Sequence, residues 1–296
     1  MPYADLNVSA RSTESLRALR DLGYAVVCWT SEATGSVPPK PPKPTGAPAS
    51  VSGAASSSFT RPVQECTRLT LSLEEDSHAF ALTGARDALR AYDVVAVACA
   101  TESILERVLQ SPAVDAIDIV CLPSAHRPTF NLRPALARKV LKAGMFVELC
   151  YAAALRDGGS RRNFIGNLQA VLEVLPKGAK RGGTGLILSS GADEARLLRS
   201  PYDILALVGI FGCGRDAAKL ALAGNPFKVL ERAARRQIPS PGAPPPANGL
   251  FSLGPVPSAA AAAGLVGKRA ASGTAAASQQ GNGNGAEAGG GKRPRR

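Results

Sequence analysis

Few side chains in this sequence are of the types that carry out catalysis, and those few are not grouped. The sequence has two histidines, His78 and His126, and neither has another histidine or a clustered carboxylate at metal-ligand spacing. The run Glu74-Glu75-Asp76 could bind Mg²⁺, but three consecutive acids after a strand more often form a solvated turn that opens a helix. We therefore predict no catalytic residue and no metal ligand.

The familiar nucleophile and phosphate-binding motifs are missing as well. The glycine-rich stretches at 182–185 and 212–214 do not continue into the Gly-Lys-Ser/Thr ending of a phosphate loop, and no Gly-x-Ser-x-Gly elbow occurs. The six cysteines are at least 22 residues apart, so no CxxC pair exists. We expect reduced cysteines that pack as small hydrophobes, and no bound cofactor.

Positive charge is concentrated in the second half of the sequence. The net charge is +12. Residues 61–122 hold 5 Lys and Arg against 10 Asp and Glu, whereas residues 123–236 hold 19 against 8. Because neutralising phosphates releases condensed counterions, a polyanion such as RNA is the natural partner of the basic half.

We expect the RNA contacts to be made mainly by arginine, whose planar fork suits phosphate. Aromatic residues make up 5% of the chain, so contact with the backbone of folded RNA fits better than base stacking. The predicted RNA-binding residues are Arg161, Arg162, Lys177, Lys180, Arg181, Arg196, Arg199, Arg215 and Lys219.

The elements that would position these residues alternate between strand and helix. Predicted strands cover 3–8, 24–29, 68–73, 93–98, 116–122, 145–150 and 185–189. Predicted helices cover 12–22, 78–91, 101–109, 133–143, 161–175, 201–211 and 216–222. Apolar strands that alternate with helices indicate a parallel sheet covered by helices. We predict an irregular TIM-like β/α barrel of about seven parallel strands, with a doubly wound open sheet as the alternative.

The barrel domain is predicted to span 1–236, with two segments outside its core. Residues 33–60 form a Pro-, Ser- and Ala-rich insertion, and 237–296 form a basic tail; both are predicted to be flexible or disordered. The basic end of the tail is predicted to be a nuclear import signal formed by Lys292, Arg293, Arg295 and Arg296. We expect no signal peptide and no membrane association, since the start lacks an apolar h-region and no apolar run approaches about 18 residues.

Several stretches resemble the thirty-kilodalton protein subunit family of eukaryotic and archaeal ribonuclease P. They occur in family order and cover roughly residues 1 to 225 apart from the insertion. The stretches are Tyr3-Ala-Asp-Leu6, Leu22-Gly-Tyr-Ala-Val-Val27, Arg68-Leu-Thr-Leu71, Tyr92-Asp-Val-Val-Ala-Val97, Phe146-Val-Glu-Leu-Cys-Tyr151, Ile187-Leu-Ser-Ser-Gly-Ala192, Arg199-Ser-Pro-Tyr-Asp203 and Leu207-Val-Gly-Ile-Phe-Gly212. The ordered set, with Pro-Tyr-Asp and Phe-Gly at its end, is more specific than any single stretch.

This resemblance implies a β/α barrel related to metal-dependent phosphoesterases of the polymerase-and-histidinol-phosphatase type. Those enzymes place a His-x-His pair after the first strand, where this sequence has Asp5-Leu6-Asn7. The resemblance therefore implies a non-catalytic subunit. It would bind ribonuclease P RNA and a small ferredoxin-like subunit, in a particle that trims the 5′ leader of precursor tRNA. It also implies a role with ribonuclease MRP RNA in ribosomal RNA processing, and a nuclear, nucleolar location.

Two other functions remain open on the sequence. One is an active metal-dependent barrel phosphoesterase, suggested by the acids Asp5, Glu74, Glu75, Asp76 and Glu148. The other is a nuclear interaction barrel that contacts acidic proteins rather than RNA.

Overall fold

A computed structural model describes residues 2–38, 63–176 and 185–236. Its centre is a seven-stranded sheet in which every neighbouring pair is parallel and the spatial order follows the chain from β1 to β7. The strands are β1 Tyr3–Val8, β2 Tyr24–Thr34, β3 Gln64–Leu73, β4 Val94–Cys99, β5 Ile119–Cys121, β6 Phe146–Cys150 and β7 Leu186–Ser189. All seven predicted strands are present.

The sheet curls until its two edges nearly meet. The backbone N–H of Gly191 donates to Asn7 O at 2.8 Å, and that of Ser9 donates to Ala192 O at 2.9 Å. Val8 and Ala192 form an isolated parallel bridge. The first strand thus pairs with the segment that follows the last one, which confirms the predicted barrel rather than the open sheet.

Helices cover the outside of this barrel. They are α1 Thr13–Asp21, α2 Asp76–Gly84, α3 Arg86–Arg90, α4 Glu102–Gln110, α5 Pro134–Lys142, α6 Ala152–Arg156, α7 Gly158–Val174, α8 Pro201–Ile210, α9 Arg215–Lys219 and α10 Asn225–Arg236. Capping side chains fix several starts: Ser12 Oγ accepts from Ser15 N, and Thr101 Oγ1 accepts from Ile104 N. No helix in the described ranges is long and apolar enough to cross a membrane.

Some element boundaries differ from those predicted. The helix predicted at 78–91 is two helices, α2 and α3, which meet at Ala85. The strand predicted at 116–122 is shorter, because Pro112–Ala116 forms a 3₁₀ turn before it. Strand β2 extends to Thr34, which lies inside the predicted insertion. Helices α6 and α10 were not predicted.

Helix α10 closes the amino end of the barrel. Its apolar side chains Val229, Leu230 and Ala233 are buried against inward-facing strand residues such as Val26 and Ile119. A five-residue π-helical turn, Leu220–Gly224, joins α9 to α10, and Asn225 Nδ2 donates to Leu186 O at 2.7 Å. The barrel interior near the amino ends of the strands is therefore an apolar core, and α10 covers it.

Two arginines of α10 hold it against the strand starts. Arg232 Nη1 donates to Ala143 O at 2.6 Å. Arg236 Nη1 donates to Asp118 Oδ1 at 2.6 Å, and both of those side chains are buried. The second oxygen of Asp118 accepts from Val95 N at 3.0 Å. Two of the basic residues at the end of the domain are therefore used in contacts inside the protein.

Of the insertion predicted at 33–60, residues 39–60 lie outside the described residues. The tail predicted at 237–296 lies entirely outside them.

Candidate functional site

A buried ion pair crosses the interior of the barrel from the middle of β3 to the middle of β6, below the carboxyl end where barrel enzymes place their active sites. Arg68 of β3 and Glu148 of β6 have fully buried side chains. Arg68 Nη2 lies 2.5 Å from Glu148 Oε2, and Arg68 Nη1 lies 2.7 Å from Glu148 Oε1, so the contact is bidentate. Two opposite charges across the barrel interior thus satisfy each other.

The neighbours of Glu148 use its remaining acceptor positions. Ser189 Oγ donates to Glu148 Oε1 at 2.6 Å, and Asn7 Nδ2 donates to Glu148 Oε2 at 3.3 Å. The thiol of Cys121 also donates to Oε2 at 3.3 Å. Burial opposes ionisation of Glu148, but the charge and hydrogen bonds of Arg68 outweigh it, so the pKa of Glu148 lies below its usual value. The carboxylate is ionised and saturated by donors.

The guanidinium of Arg68 is equally engaged. It donates to Leu6 O at 2.7 Å and to Thr70 Oγ1 at 3.0 Å, as well as to Glu148. Burial opposes its charge, but Glu148 raises the pKa of Arg68 above its usual value. The guanidinium of Arg68 therefore places a permanent positive charge inside the barrel.

Asp5 is a second buried acid beside this pair. Its Oδ1 accepts from Ser190 N at 3.0 Å and from Asn7 N at 3.1 Å. Its Oδ2 is buried and has no hydrogen-bond partner among the described residues. Burial raises the pKa of Asp5 to about 6, against the lowering effect of its hydrogen bonds to Ser190 and Asn7.

The thiols near this cluster are not reactive nucleophiles. Burial raises the pKa of Cys121 and of Cys150 well above the usual thiol value. Asn7 Nδ2 contacts Cys150 Sγ at 3.3 Å. All six cysteines lie within the described ranges and all are free, as expected.

Within the part of the chain that the structure describes, no group of three or more His, Cys, Asp or Glu side chains is placed to hold a metal ion. The acids Glu74, Glu75 and Asp76 lie on the exposed turn into α2, away from Glu148, and Asp76 pairs with Arg107 at 3.1 Å. Of the acids that suggested a phosphoesterase, Asp5 and Glu148 lie near each other inside the barrel, whereas Glu74, Glu75 and Asp76 do not join them.

The two histidines lie outside the cluster. His78 Nδ1 accepts from Glu74 N at 3.2 Å, and its ring packs over Gly35. His126 is exposed in the loop between β5 and α5, and its carbonyl accepts from Asn167 Nδ2 at 2.8 Å.

The structure brings Asp5, Asn7, Ser189 and Ser190 together inside the barrel. The sequence analysis missed Arg68, the residue around which they are arranged. The available signal was an arginine inside a strand that otherwise alternates strictly between apolar and small polar residues. A charged residue in such a position must be exposed at an edge or paired inside.

The described members of the predicted RNA-binding set do not form one patch. Arg161 and Arg162 lie in the first turns of α7, and Arg196 and Arg199 follow β7, so all four lie towards the carboxyl end of the barrel. Arg215 and Lys219 lie on α9, which leads into the helix that closes the amino end. The set therefore divides between the two ends.

Several of these side chains already have partners. Arg196 forms an ion pair with Glu194. Arg199 Nη1 donates to the carbonyls of Arg196 and Leu198 at 2.7 and 2.8 Å, and Arg161 Nε donates to Ala154 O at 2.8 Å.

Seven predicted residues lie outside the described ranges. They are Lys177, Lys180, Arg181, Lys292, Arg293, Arg295 and Arg296.

Comparison with known proteins identifies a family. A family model described as RNase P subunit p30 matches residues 2–238. The mouse ribonuclease P protein subunit p30 is 29% identical over 166 residues, which are 56% of this chain and 59% of the mouse protein. Ribonuclease P protein component 3 of Methanosarcina barkeri is 29% identical over 154 residues, covering 52% of this chain and 59% of that protein. The matched stretches thus span less than two thirds of these relatives.

Among solved structures, a chain in the cryo-EM structure of archaeal ribonuclease P with mature tRNA superposes with a TM-score of 0.53. The match has 14% sequence identity and covers 78% of this chain and 91% of that chain. At this identity the superposition supports the barrel fold alone.

Proposed function

The chain belongs to the RNase P subunit p30 family, and on that basis we propose that it is a non-catalytic protein subunit of a ribonuclease P ribonucleoprotein. In this role it binds the catalytic RNA and neighbouring protein subunits, and it supports removal of the 5′ leader from precursor tRNA. The observation that carries the proposal is the family match over 2–238.

The chemistry of the barrel mouth supports the non-catalytic part of the proposal. In a hydrolytic barrel, an inward-facing carboxylate that serves the reaction would be available to a metal or to water. Here both oxygens of Glu148 accept from Arg68. The pair of Arg68 and Glu148 therefore serves the structure of the barrel. The RNA of the particle would supply the chemistry.

The charge of the second half supports the RNA-binding part. Its excess of Lys and Arg would neutralise phosphates and stabilise one folded arrangement of the RNA. We propose that the contacts include Arg161, Arg162, Arg196, Arg199, Arg215 and Lys219, together with Lys177, Lys180 and Arg181.

An exposed apolar surface on α8 supports contact with another subunit. Tyr202 and Ile210 are 70% and 80% exposed, and both lie on this helix. Exposed apolar side chains of this size often mark protein interfaces. We propose that a small ferredoxin-like subunit docks there. The double variant Tyr202→Ser/Ile210→Ser should lose that subunit from purified particles, whereas Phe80→Ser, another exposed aromatic, should not.

We further propose a nuclear, nucleolar location and a shared role in ribonuclease MRP, acting in ribosomal RNA processing. The basic cluster at 292–296 would serve as the import signal. A tagged 1–290 chain should then lose nuclear enrichment relative to the full chain. Full nuclear retention would contradict the import signal without affecting the subunit assignment.

The experiment that tests the proposal is affinity purification of the tagged full-length protein from its own cells, followed by sequencing of the bound RNA. We expect enrichment of an abundant structured RNA and 5′ trimming of precursor tRNA by the purified material. A second enriched RNA that lacks this activity would support the ribonuclease MRP role. Material free of RNA would overturn the proposal.

A further inference from the structure

Two neighbouring helices of the barrel lie in stretches where basic residues outnumber acids. Residues 119–147 contain five Lys and Arg and no Asp or Glu, and α7, Gly158–Val174, contains two Arg in its first turns and one acid, Glu173, at its end. The first stretch holds α5, and since α5 and α7 follow β5 and β6 they lie side by side on the outside of the barrel.

Several cations of these stretches are neutralised by carboxylates. Arg133 pairs with Glu102, and Lys139 Nζ lies 2.9 Å from Glu106 Oε1, so both face α4. Five exposed cations, in contrast, have no carboxylate partner among the described residues. Arg161 is bonded to Ala154 O, and we call the other four, Arg127, Arg138, Lys142 and Arg162, the α5–α7 surface.

Hydrogen bonds fix the loop that carries Arg127 against α7. Asn163 Nδ2 donates to Ala125 O at 2.8 Å, and Asn167 Nδ2 donates to Pro123 O at 2.7 Å and to His126 O at 2.8 Å. These bonds fasten the loop that carries Arg127 to the helix that carries Arg162. A cluster held in place by buried or half-buried amides loses less entropy on binding than independent side chains would.

A glycine near Arg162 leaves the outer face of α7 open. Gly166 lies inside α7, one turn after Arg162, and is exposed. A Cβ at this position would meet nothing within 4 Å. The space beside Arg162 is therefore free for a surface that approaches the helix.

The exposed side chains described on α5 and α7 include no aromatic ring, which favours folded RNA over single-stranded nucleic acid as the partner. The large apolar side chains that are exposed in the described ranges are Phe80, Tyr202 and Ile210, and none lies on α5 or α7. Single-stranded nucleic acid is bound largely by stacking on aromatic rings, whereas folded RNA is contacted through its phosphates and its shape.

We propose that the α5–α7 surface binds the phosphate backbone of folded RNA, with Gly166 allowing the strand to approach the helix. The proposal rests on the ribonucleoprotein function proposed above and locates one RNA interface. Three of its four cations, Arg127, Arg138 and Lys142, were not in the set predicted from the sequence.

The test measures binding of the full-length protein to the RNA recovered with it, transcribed in vitro, as a function of salt. The variants are Arg138→Gln/Lys142→Gln and Arg127→Gln/Arg162→Gln. The matched control is Arg17→Gln/Arg20→Gln, which removes two exposed charges from α1. Each surface variant should lower the slope of log affinity against log salt by about 2 and weaken binding on the order of tenfold. The control should retain the wild-type slope.

Gly166→Gln provides a variant whose failure cannot be attributed to unfolding. Glutamine is a better helix former, so the thermal midpoint should stay equal or rise, while RNA affinity falls several-fold because the side chain blocks the approach.

The outcomes separate this proposal from the function on which it rests. If the wild-type chain recovers no such RNA, the ribonucleoprotein assignment fails. If it recovers the RNA but all surface variants match the control, the α5–α7 surface is not an RNA interface. Loss of a protein subunit with unchanged RNA affinity would assign the surface to an acidic protein instead.

Discussion

The buried pair of Arg68 and Glu148 is the residue-scale feature on which the barrel mouth depends. Replacing Glu148 with Gln would leave the Arg68 charge buried without its counter-charge. We expect Glu148→Gln to lower the free energy of unfolding by about 3–5 kcal/mol, measured by urea denaturation. Replacing both residues with Met should recover much of that loss, since an apolar pair carries no desolvation cost.

The control for this prediction is an exposed ion pair. Lys139 and Glu106 are both exposed and lie on neighbouring helices. Glu106→Gln should leave the unfolding free energy nearly unchanged, because exposed pairs contribute little. Equal losses in the two variants would contradict a special role for the buried pair.

Asp5 makes stability depend on pH in the opposite sense to a paired carboxylate. Its pKa in the folded protein is raised to about 6 by burial, above the value of an exposed carboxyl. The folded state therefore holds the Asp5 proton more tightly than the unfolded state does, and its contribution is full below about pH 4. This stability is lost as pH rises through about 6.

We expect Asp5→Asn to remove this dependence. The difference in unfolding free energy between variant and wild type should move in favour of the variant by about 2 kcal/mol between pH 4 and pH 7. Urea denaturation at several pH values measures it. A difference that does not change with pH would show that the pKa of Asp5 is the same in the folded and unfolded states.

At the scale of elements, helix α10 depends on Arg236 to close the barrel. Asp118 is fully buried, and Arg236 supplies its closest cation. Arg236→Ala should destabilise the protein by about 3 kcal/mol, since it leaves a buried carboxylate poorly compensated. It should also speed amide hydrogen exchange across 225–236 before the strands are affected.

Arg235→Ala is the matched control on the same helix. Arg235 is exposed and pairs only within its helix, with Glu231 at 2.6 Å. This variant should exchange like the wild type. Fast exchange of α10 in the wild-type protein would mean that the helix is not held by these contacts.

Helices and strands could be predicted from the sequence wherever the apolar pattern of their own residues was sufficient. Apolar strands such as Val94–Cys99 need no partner to be recognised, and all seven were predicted. Helix α10 was missed because its first residues, Asn225 and Pro226, follow a π turn rather than a loop. Its apolar pattern of Val229, Leu230 and Ala233 was available in the sequence, but it is short and is interrupted by Glu231 and Arg232.

The site was less predictable because it depends on pairing across the fold. Residues Asp5 and Ser190 are 185 positions apart and are joined by a single hydrogen bond. The sequence around an arginine does not indicate whether a carboxylate will lie next to it in the folded protein. Arg232 and Arg236 are therefore internal, whereas Arg138 and Lys142 are exposed.

At the scale of the whole molecule, charge is distributed by sector around the barrel. The acidic segment 61–122 covers β3 to β5 with α2 to α4, and the basic segment 123–236 covers β6, β7 and α5 to α10. A barrel with one acidic and one basic side can face protein and RNA in different directions. This arrangement suits a subunit that lies between RNA and other proteins.

The most direct test of the proposed role is to deplete the protein in its own cells and sequence precursor tRNA. We expect 5′-extended precursors to accumulate several-fold within the time of depletion, and a wild-type copy to restore their trimming. A Glu106→Gln copy should restore it as well. Unchanged 5′ ends after complete depletion would contradict the assignment of this chain to ribonuclease P.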